Sequence, residues 1–301
     1  ARWSRGHPWI YRSDVVDSPS GGPGAVRVVD ERSRFLGIAL WSPASTISLR
    51  LLTRDDRTVD PEFWSERIAA AVGYRVTLGI DGTAYRLVHA EADGLPSLVV
   101  DRYGDVLVAQ FLSAGLEVFR DDIVAALREH CDASGLLARN DAGVRRHEGL
   151  EQRVEILWGE VPEEIEVREG RVRFLAGLIG GQKTGAFLDQ RENRLRAGLL
   201  SRGRVLDCFS YHGSFALHLA GGADVVHAID SSAEALARAA RNAELNGLSN
   251  IRPIEANVFD FLRAEAAAGA EYDTIILDPP AFAKRRDSVA QALRGYKEIN
   301  L

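Results

Sequence analysis

Short apolar runs cut by glycine and proline open the chain. Residues 26–29, 35–40 and 47–52 are such runs, with Gly21-Gly22-Pro23-Gly24 and Ser42-Pro43 between them. That punctuation predicts β-hairpins. A helix is expected after Asp60-Pro61, where a capping carboxylate precedes a first-turn proline, and it carries Phe63, Trp64, Ile68 and Val72. Residues 1–73 therefore read as a β-rich module. In residues 74–167 the runs 98–101 and 106–109 flank Arg102-Tyr103-Gly104-Asp105, a hairpin signal. Residues 118–130 repeat apolar positions at helical spacing (Val118, Ile123, Ala126, Leu127), and strands return near 135–138 and 154–158. This is a small central α+β domain.

From residue 168 the pattern changes to regular alternation. After a hairpin-like pair at 164–167 and 171–175, a helix starts near Phe187. Strands at 205–206, 225–229, 251–254 and 274–277 then alternate with helices at 215–220 and 258–268. Strand and helix in strict turn predict a doubly wound parallel sheet, an α/β fold. Such sheets bind ligands at the carboxyl ends of their strands, beside free helix N–H groups. Three of these ends carry polar signatures: Asp207 with the turn to Phe215, Asp230, and Asp278-Pro279-Pro280. The first turn holds only Gly213, with Tyr211 and Phe215 around it. A dinucleotide pyrophosphate needs more glycine than that. A cofactor with an adenosine, a ribose diol and a charged amino acid fits better, which describes S-adenosylmethionine. Asp207 is then expected to receive the ammonium group, Asp230 the ribose hydroxyls, and Asn257 the adenine amine. Gly180-Gly181-Gln182-Lys183-Thr184-Gly185 fails as a phosphate loop, because Gln182 stands where the glycine before lysine is required.

Asp278-Pro279-Pro280-Ala281-Phe282 adds substrate chemistry. Prolines stiffen the backbone and lack N–H groups, which leaves nearby carbonyls available as acceptors. Phe282 offers a flat face for a base, and Lys284, Arg285 and Arg286 offer charge to its flanking phosphates. A proline-stiffened loop beside a solvated basic patch is the plainer alternative. At the other end, Trp3, Trp9 and Tyr11 stand among Arg2, Arg5, His7 and Arg12. Aromatics interleaved with arginine can stack bases and pair phosphates. A tryptophan packed in a small core with arginines outside explains the same residues.

Composition narrows the classes. The 301 residues are 46% hydrophobic and 27% charged, with no apolar run long enough for a membrane span. Only two cysteines occur, Cys131 and Cys208, far apart, which disfavours a disulfide framework or zinc ribbon and suits a cytoplasmic protein. His89 and Glu91 do not make a metal pair, and no metal is expected. Net charge is −6, distributed as +2 over residues 1–75, −10 over 76–170 and +2 over 171–301. Contact with nucleic acid is thereby confined to local faces of the two ends.

The chain resembles a known family along nearly its whole length. Gly6-His7-Pro8-Trp9-Ile10-Tyr11 is similar to the start of a PUA domain. Residues 90–96 and 100–105 resemble that family's small central domain. Residues 182–194, from Gln182 to Arg194, are similar to its cofactor-covering segment, and this is the most specific match. Residues 207–215, 278–282 and 294–300 look like its later motifs. The family is the PUA-domain-containing class I methyltransferases that modify C5 of a cytosine in 23S rRNA. The resemblance implies a PUA-like RNA-binding domain (1–73), a central domain (74–167) and a Rossmann-like methyltransferase domain (168–301). It implies S-adenosylmethionine as cofactor and leaves a homodimer open. Lys183, Thr184, Phe187, Asp189 and Arg191 would line the methionine end, with Ser210, Tyr211, Gly213 and Asp230 beneath. Asn257 stands where the family has Asp.

C5 of cytosine accepts a methyl group only after a thiolate has added to C6. The family's nucleophilic cysteine belongs to a later strand. Cys208, under the first turn, reads as a buried thiol, and Cys131 lies in the acidic middle. Only four sheet strands are visible where the fold uses seven. A further C-terminal portion on the order of 80 residues, holding the cysteine beyond Leu301, is therefore expected. Transfer to a base nitrogen, which needs no cysteine, is the nearest alternative. A non-catalytic RNA-binding protein and a nucleotide-dependent oxidoreductase are the others.

Overall fold

The computed structural model describes residues 3, 6–180, 184–283 and 288–300. The chain divides into two compact units, residues 1–167 with 176–188, and residues 168–175 with 189–301.

The first unit opens with β1 (Trp9–Ile10), β2 (Gly24–Val29), β3 (Phe35–Trp41) and β4 (Leu49–Thr53). They form one antiparallel sheet in the order β1-β4-β3-β2. Helix α1 (Pro61–Thr77) follows with the expected start: Asp60 accepts from the Phe63 N–H, and Pro61 takes the first turn. Next come β5 (Ala84–His89), β6 (Leu98–Tyr103), β7 (Val106–Phe111), α2 (Ala114–Glu117), α3 (Arg120–His130), β8 (Gly135–Asn140), α4 (Val144–His147) and β9 (Arg153–Gly159). Strands β5 to β9 make a five-stranded sheet in sequence order, antiparallel except for the β7–β8 pair. The helix expected over residues 118–130 is α3, which starts two residues later, at Arg120, with the short α2 just ahead of it. Between the two helices Phe119 packs on Trp64, with ring centres 5.1 Å apart, while Val118 is exposed.

One core serves both sheets of this unit. Ile38, Leu40 and Leu52 of the first sheet join Phe63, Trp64 and Ile68 of α1 and Leu87, Val100, Leu107 and Leu136 of the second. Helix α1 runs across residue 73. A buried ion pair adds a polar lock: Arg50 Nη2 lies 2.8 Å from Glu148 Oε1, and Glu148 also accepts from the Ala114 N–H.

A hairpin of β10 (Glu164–Glu169) and β11 (Val172–Gly177) follows, its tip counted in the second unit. There Leu175 N–H donates to Asn242, Phe174 stacks on His212, and Glu169 meets Arg194 and His218. Burial alone would raise Glu169, but the Arg194 guanidinium and His218 hold it down to about 2. The unit continues with α5 (Arg191–Leu200), β12 (Gly203–Cys208), α6 (Ser214–Leu219), β13 (Ala223–Asp230), α7 (Ala233–Leu245), β14 (Ile251–Glu255), α8 (Val258–Ala267), β15 (Thr274–Leu277) and α9 (Val289–Ile299). Every pairing in the β14-β13-β12-β15 sheet is parallel. The order reverses beside β12, so a crevice opens at the carboxyl ends of β12, β13 and β15. Helix α7 shows the logic of the layer: Ala235, Leu236, Ala239, Asn242 and Ala243 share its buried face at helical spacing. Among the described residues no helix is long and apolar enough to cross a membrane.

Removing Glu148 leaves the Arg50 charge buried and unpaired. Glu148→Ala is expected to cost about 3–5 kcal/mol, against a much smaller loss for the double variant Arg50→Met/Glu148→Met. Urea unfolding of the three proteins measures this; a Glu148→Ala protein as stable as wild type would refute it.

Candidate cofactor and target-base site

The turn after β12 is built around a carboxyl group. Asp207 is 1% exposed, and its Oδ2 accepts from Ser210 Oγ at 2.9 Å and from the Ala216 N–H at 3.0 Å. It thereby ties the turn to the first residues of α6. Phe209 and Tyr211 hold left-handed backbone angles, φ 62° and 52°. Each costs about 1–2 kcal/mol for a residue with a Cβ. The hydrogen bonds of Asp207, the Ser210 N–H on the Ile229 carbonyl and the Tyr211 N–H on Asp230 Oδ2 offset that strain. Gly213 is also left-handed, φ 79°, and a Cβ there would come within 2.9 Å of Ala239 on α7. Glycine is required at 213 by packing as well as by conformation.

Burial pushes Asp207 up to about 7, despite the Ser210 and Ala216 hydrogen bonds, and the negative charges of Asp278 and Asp230 add to the rise. The ammonium contact expected of Asp207 is not offered by this geometry. Its side chain is enclosed and engaged by the turn, so it braces the site from beneath. Asp230, half-buried, is better placed. Its Oδ2 accepts from Tyr211 N–H and its Oδ1 from Ser232 N–H at 3.0 Å. One lone pair on each oxygen remains, the number a ribose diol needs.

Asn257 caps α8. Its Oδ1 accepts from the Phe259 N–H at 2.9 Å and the Asp260 N–H at 3.4 Å. The acceptor expected to meet an adenine amine is thus occupied. What the side chain has left is its amide donor, which suits a ring nitrogen of adenine instead.

Asp278 and Pro280 are exposed at the end of β15, and Pro279 is partly so. Gln190 Nε2 donates to Asp278 Oδ1 at 3.3 Å. The Phe282 ring is half-buried among Tyr296, Phe259 and Phe209, with ring centres 4.6, 5.6 and 6.3 Å away. It is therefore not the free platform expected from the sequence. Sequence reading gave no role to Gln190 or Tyr296. The signal for Tyr296 was present, a tyrosine in an amphipathic helix just after the loop, but no spacing rule connects it to Phe282.

The segment before α5 falls in both units. In the first, Thr184 is 1% exposed, and its hydroxyl donates to Asp101 and lies 3.2 Å from the Tyr103 hydroxyl. Arg86 holds Asp101 with two bonds, and the Ala186 N–H donates to Tyr103. The Thr184 side chain is thus engaged inside this unit, against Asp101 and Tyr103. Phe187 is half-buried. In the second unit, Asp189 is exposed and Arg191 begins α5, paired with Glu192. Trp9 is half-buried and its indole N–H donates to Glu91 Oε1 at 2.8 Å, which gives Glu91 an intramolecular partner. Lys183, Arg5, Lys284, Arg285 and Arg286 lie outside the described residues.

Both cysteines are buried thiols. Burial, with Asp207 alongside, pushes Cys208 up to about 12, and burial pushes Cys131 up to about 11. His212 beneath the turn is also enclosed; burial first, then the Arg194 and Arg238 charges, take it down to about 3, so it stays neutral.

Carboxylates at neighbouring strand ends, Asp230 and Asp278, beside a glycine-poor turn suit a cofactor that carries positive charge and a ribose diol. Residues 129–299 match the S-adenosylmethionine-dependent methyltransferase family, and residues 1–54 match the PUA-like domain. The chain belongs to the S-adenosylmethionine-dependent methyltransferases. It is 41% identical over 309 residues to ribosomal RNA large subunit methyltransferase I of Tolumonas auensis, covering 99% of this chain and 78% of the relative. The enzyme of the same name from Aeromonas hydrophila is 42% identical over 311 residues, with the same two shares, 99% and 78%. The crystal structure of SMU.776, a methyltransferase complexed with S-adenosylhomocysteine, superposes with a TM-score of 0.84 at 25% identity, covering 99% of this chain and 80% of that one. The expected fold, a PUA-like domain ahead of a Rossmann-like methyltransferase domain, and the expected cofactor are borne out.

The brace has a pH signature. The folded protein keeps the Asp207 proton up to about pH 7, whereas the unfolded chain releases it near pH 4. Asp207 thus lowers stability progressively as pH rises from 4 to 7, with the full cost above 7. Asp207→Asn retains an acceptor for Ser210 and Ala216 and removes the titration. The variant is expected to exceed wild type by about 2–4 kcal/mol at pH 8 and to match it near pH 4. Urea midpoints across that range test this; a difference independent of pH would refute it.

Proposed function

We propose that the protein methylates RNA of the large ribosomal subunit, using S-adenosylmethionine, at C5 of a cytosine in 23S rRNA. The observation that carries the substrate is the identity of 41–42% across 99% of the chain to two ribosomal RNA large subunit methyltransferases I. The PUA-like module at residues 1–54 supports RNA as the partner. The cysteine usage favours a cytoplasmic location, and family resemblance leaves a homodimer open.

Asp230 takes the ribose hydroxyls, and Ser210, Tyr211 and Gly213 shape the turn beneath the cofactor, with Asp207 as brace. Asn257 presents its amide to the adenine ring. Lys183, Phe187, Asp189 and Arg191 are assigned to the methionine end by resemblance. The cofactor supplies an electrophilic methyl group. The loop of Asp278, Pro279 and Pro280 presents carbonyl acceptors to the target base, and Phe282 fixes that loop. Trp9, Arg5, Lys284, Arg285 and Arg286 are assigned to RNA contact. Cys131 and Cys208 are both buried, and this reading assigns neither of them as the thiolate that C5 chemistry demands. The burial of both cysteines favours one alternative, transfer to a base nitrogen, which needs no thiolate.

Calorimetry is expected to show binding of S-adenosylhomocysteine and none of NADH, with Asp230→Asn weakening the former about tenfold. Binding of NADH in its place would sink the cofactor assignment. Full-length protein incubated with 23S rRNA and S-adenosylmethionine, followed by nuclease digestion and mass spectrometry, should yield 5-methylcytidine. A base methylated on nitrogen would select the alternative, and unmodified RNA would refute both.

A further inference from the structure

The target-base loop is gripped from outside at both ends. Gln190 holds Asp278 at one end. At the other, the Phe282 N–H donates to the Tyr296 hydroxyl at 3.2 Å. Pro279 and Pro280 have no N–H, so the loop has few donors with which to fix itself. The Phe282 ring occupies a slot. Tyr296 covers it at 4.6 Å with a tilt of 37°, Phe259 stands at 5.6 Å and Phe209 at 6.3 Å. Gly295 forms the floor, where a Cβ would come within 3.2 Å of Phe282 Cδ2. Helix α9, which carries Gly295 and Tyr296, is fastened to α8 through Arg263, which bonds both Asp260 and Glu298.

We propose that Tyr296 is a positioning residue for methyl transfer, fixing the 278–282 loop through its hydroxyl, and that Phe282 is the anchor of that loop and not a stacking platform for the base. The inference rests on the function proposed above. A ring packed on three aromatic neighbours has little face left for a nucleobase. A backbone N–H held by a side chain 14 residues later sets where the proline carbonyls stand. Positional errors near 1 Å at a reacting centre are costly in rate, so the hydroxyl acts on turnover more than on binding.

Tyr296→Phe keeps the ring and removes the acceptor. In the full-length enzyme it is expected to lower methylation at saturating RNA about tenfold, the scale of one neutral hydrogen bond. The KM for RNA and the affinity for S-adenosylhomocysteine should stay within about twofold. Hydrogen exchange should accelerate in the peptide spanning residues 279–283. Phe282→Leu is expected to repeat this pattern, lower turnover with unchanged KM. Wild-type turnover and exchange in Tyr296→Phe would overturn the proposal. So would a raised RNA KM in Phe282→Leu with Tyr296→Phe silent, the pattern of a stacking base. A wild-type control that neither binds S-adenosylhomocysteine nor methylates RNA refutes the underlying function, and the positioning role with it.

Discussion

The second unit depends on one enclosed carboxyl group. Asp207 ends β12 where the chain must leave the sheet, turn through two left-handed residues and enter α6. A buried carboxyl group is costly to ionise, and here two further carboxylates, Asp230 and Asp278, stand at the neighbouring strand ends. That cost is tolerated because the same group satisfies Ser210 and Ala216 and so keeps the turn closed.

The two units solve their packing problems differently. In the first, a single apolar core joins two sheets through α1, and buried polar pairs such as Arg50 with Glu148 specify how the elements meet. In the second, a parallel sheet is covered by helices with small residues on their inner faces, and polar groups hold the hairpin tip: Asn242 receives Leu175, and Glu169 is shared by Arg194 and His218. Arg50 and Arg194 thus keep the buried carboxylates of Glu148 and Glu169 from standing unpaired.

Much of the site was legible in the residues. The acid at the end of each of three strands, the shortage of glycine after the first, and the Asp-Pro-Pro loop all follow from period and punctuation, which are local properties. What was not legible is which atoms of those residues remain free. Asp207 spends one oxygen on Ser210 and Ala216. The Asn257 oxygen caps a helix. The Thr184 hydroxyl donates to Asp101. In each case a side chain short enough to reach nearby backbone or buried partners was claimed by them, and hydrogen-bond capacity used once cannot be used again.

By itself the sequence determined the alternation of strands and helices, the parallel sheet with its crevice, the β-rich module ahead of it, and the class of the cofactor. These rest on hydrophobic period, turn residues and short motifs, all carried by neighbours along the chain. Only the tertiary structure decided that Phe282 is packed in a slot made by Phe209, Phe259, Gly295 and Tyr296, that the Asn257 oxygen caps α8, and that Asp230 spends only one acceptor site of each oxygen on the turn. Burial and partner choice depend on residues far apart in sequence, and no local pattern encodes which of them will meet.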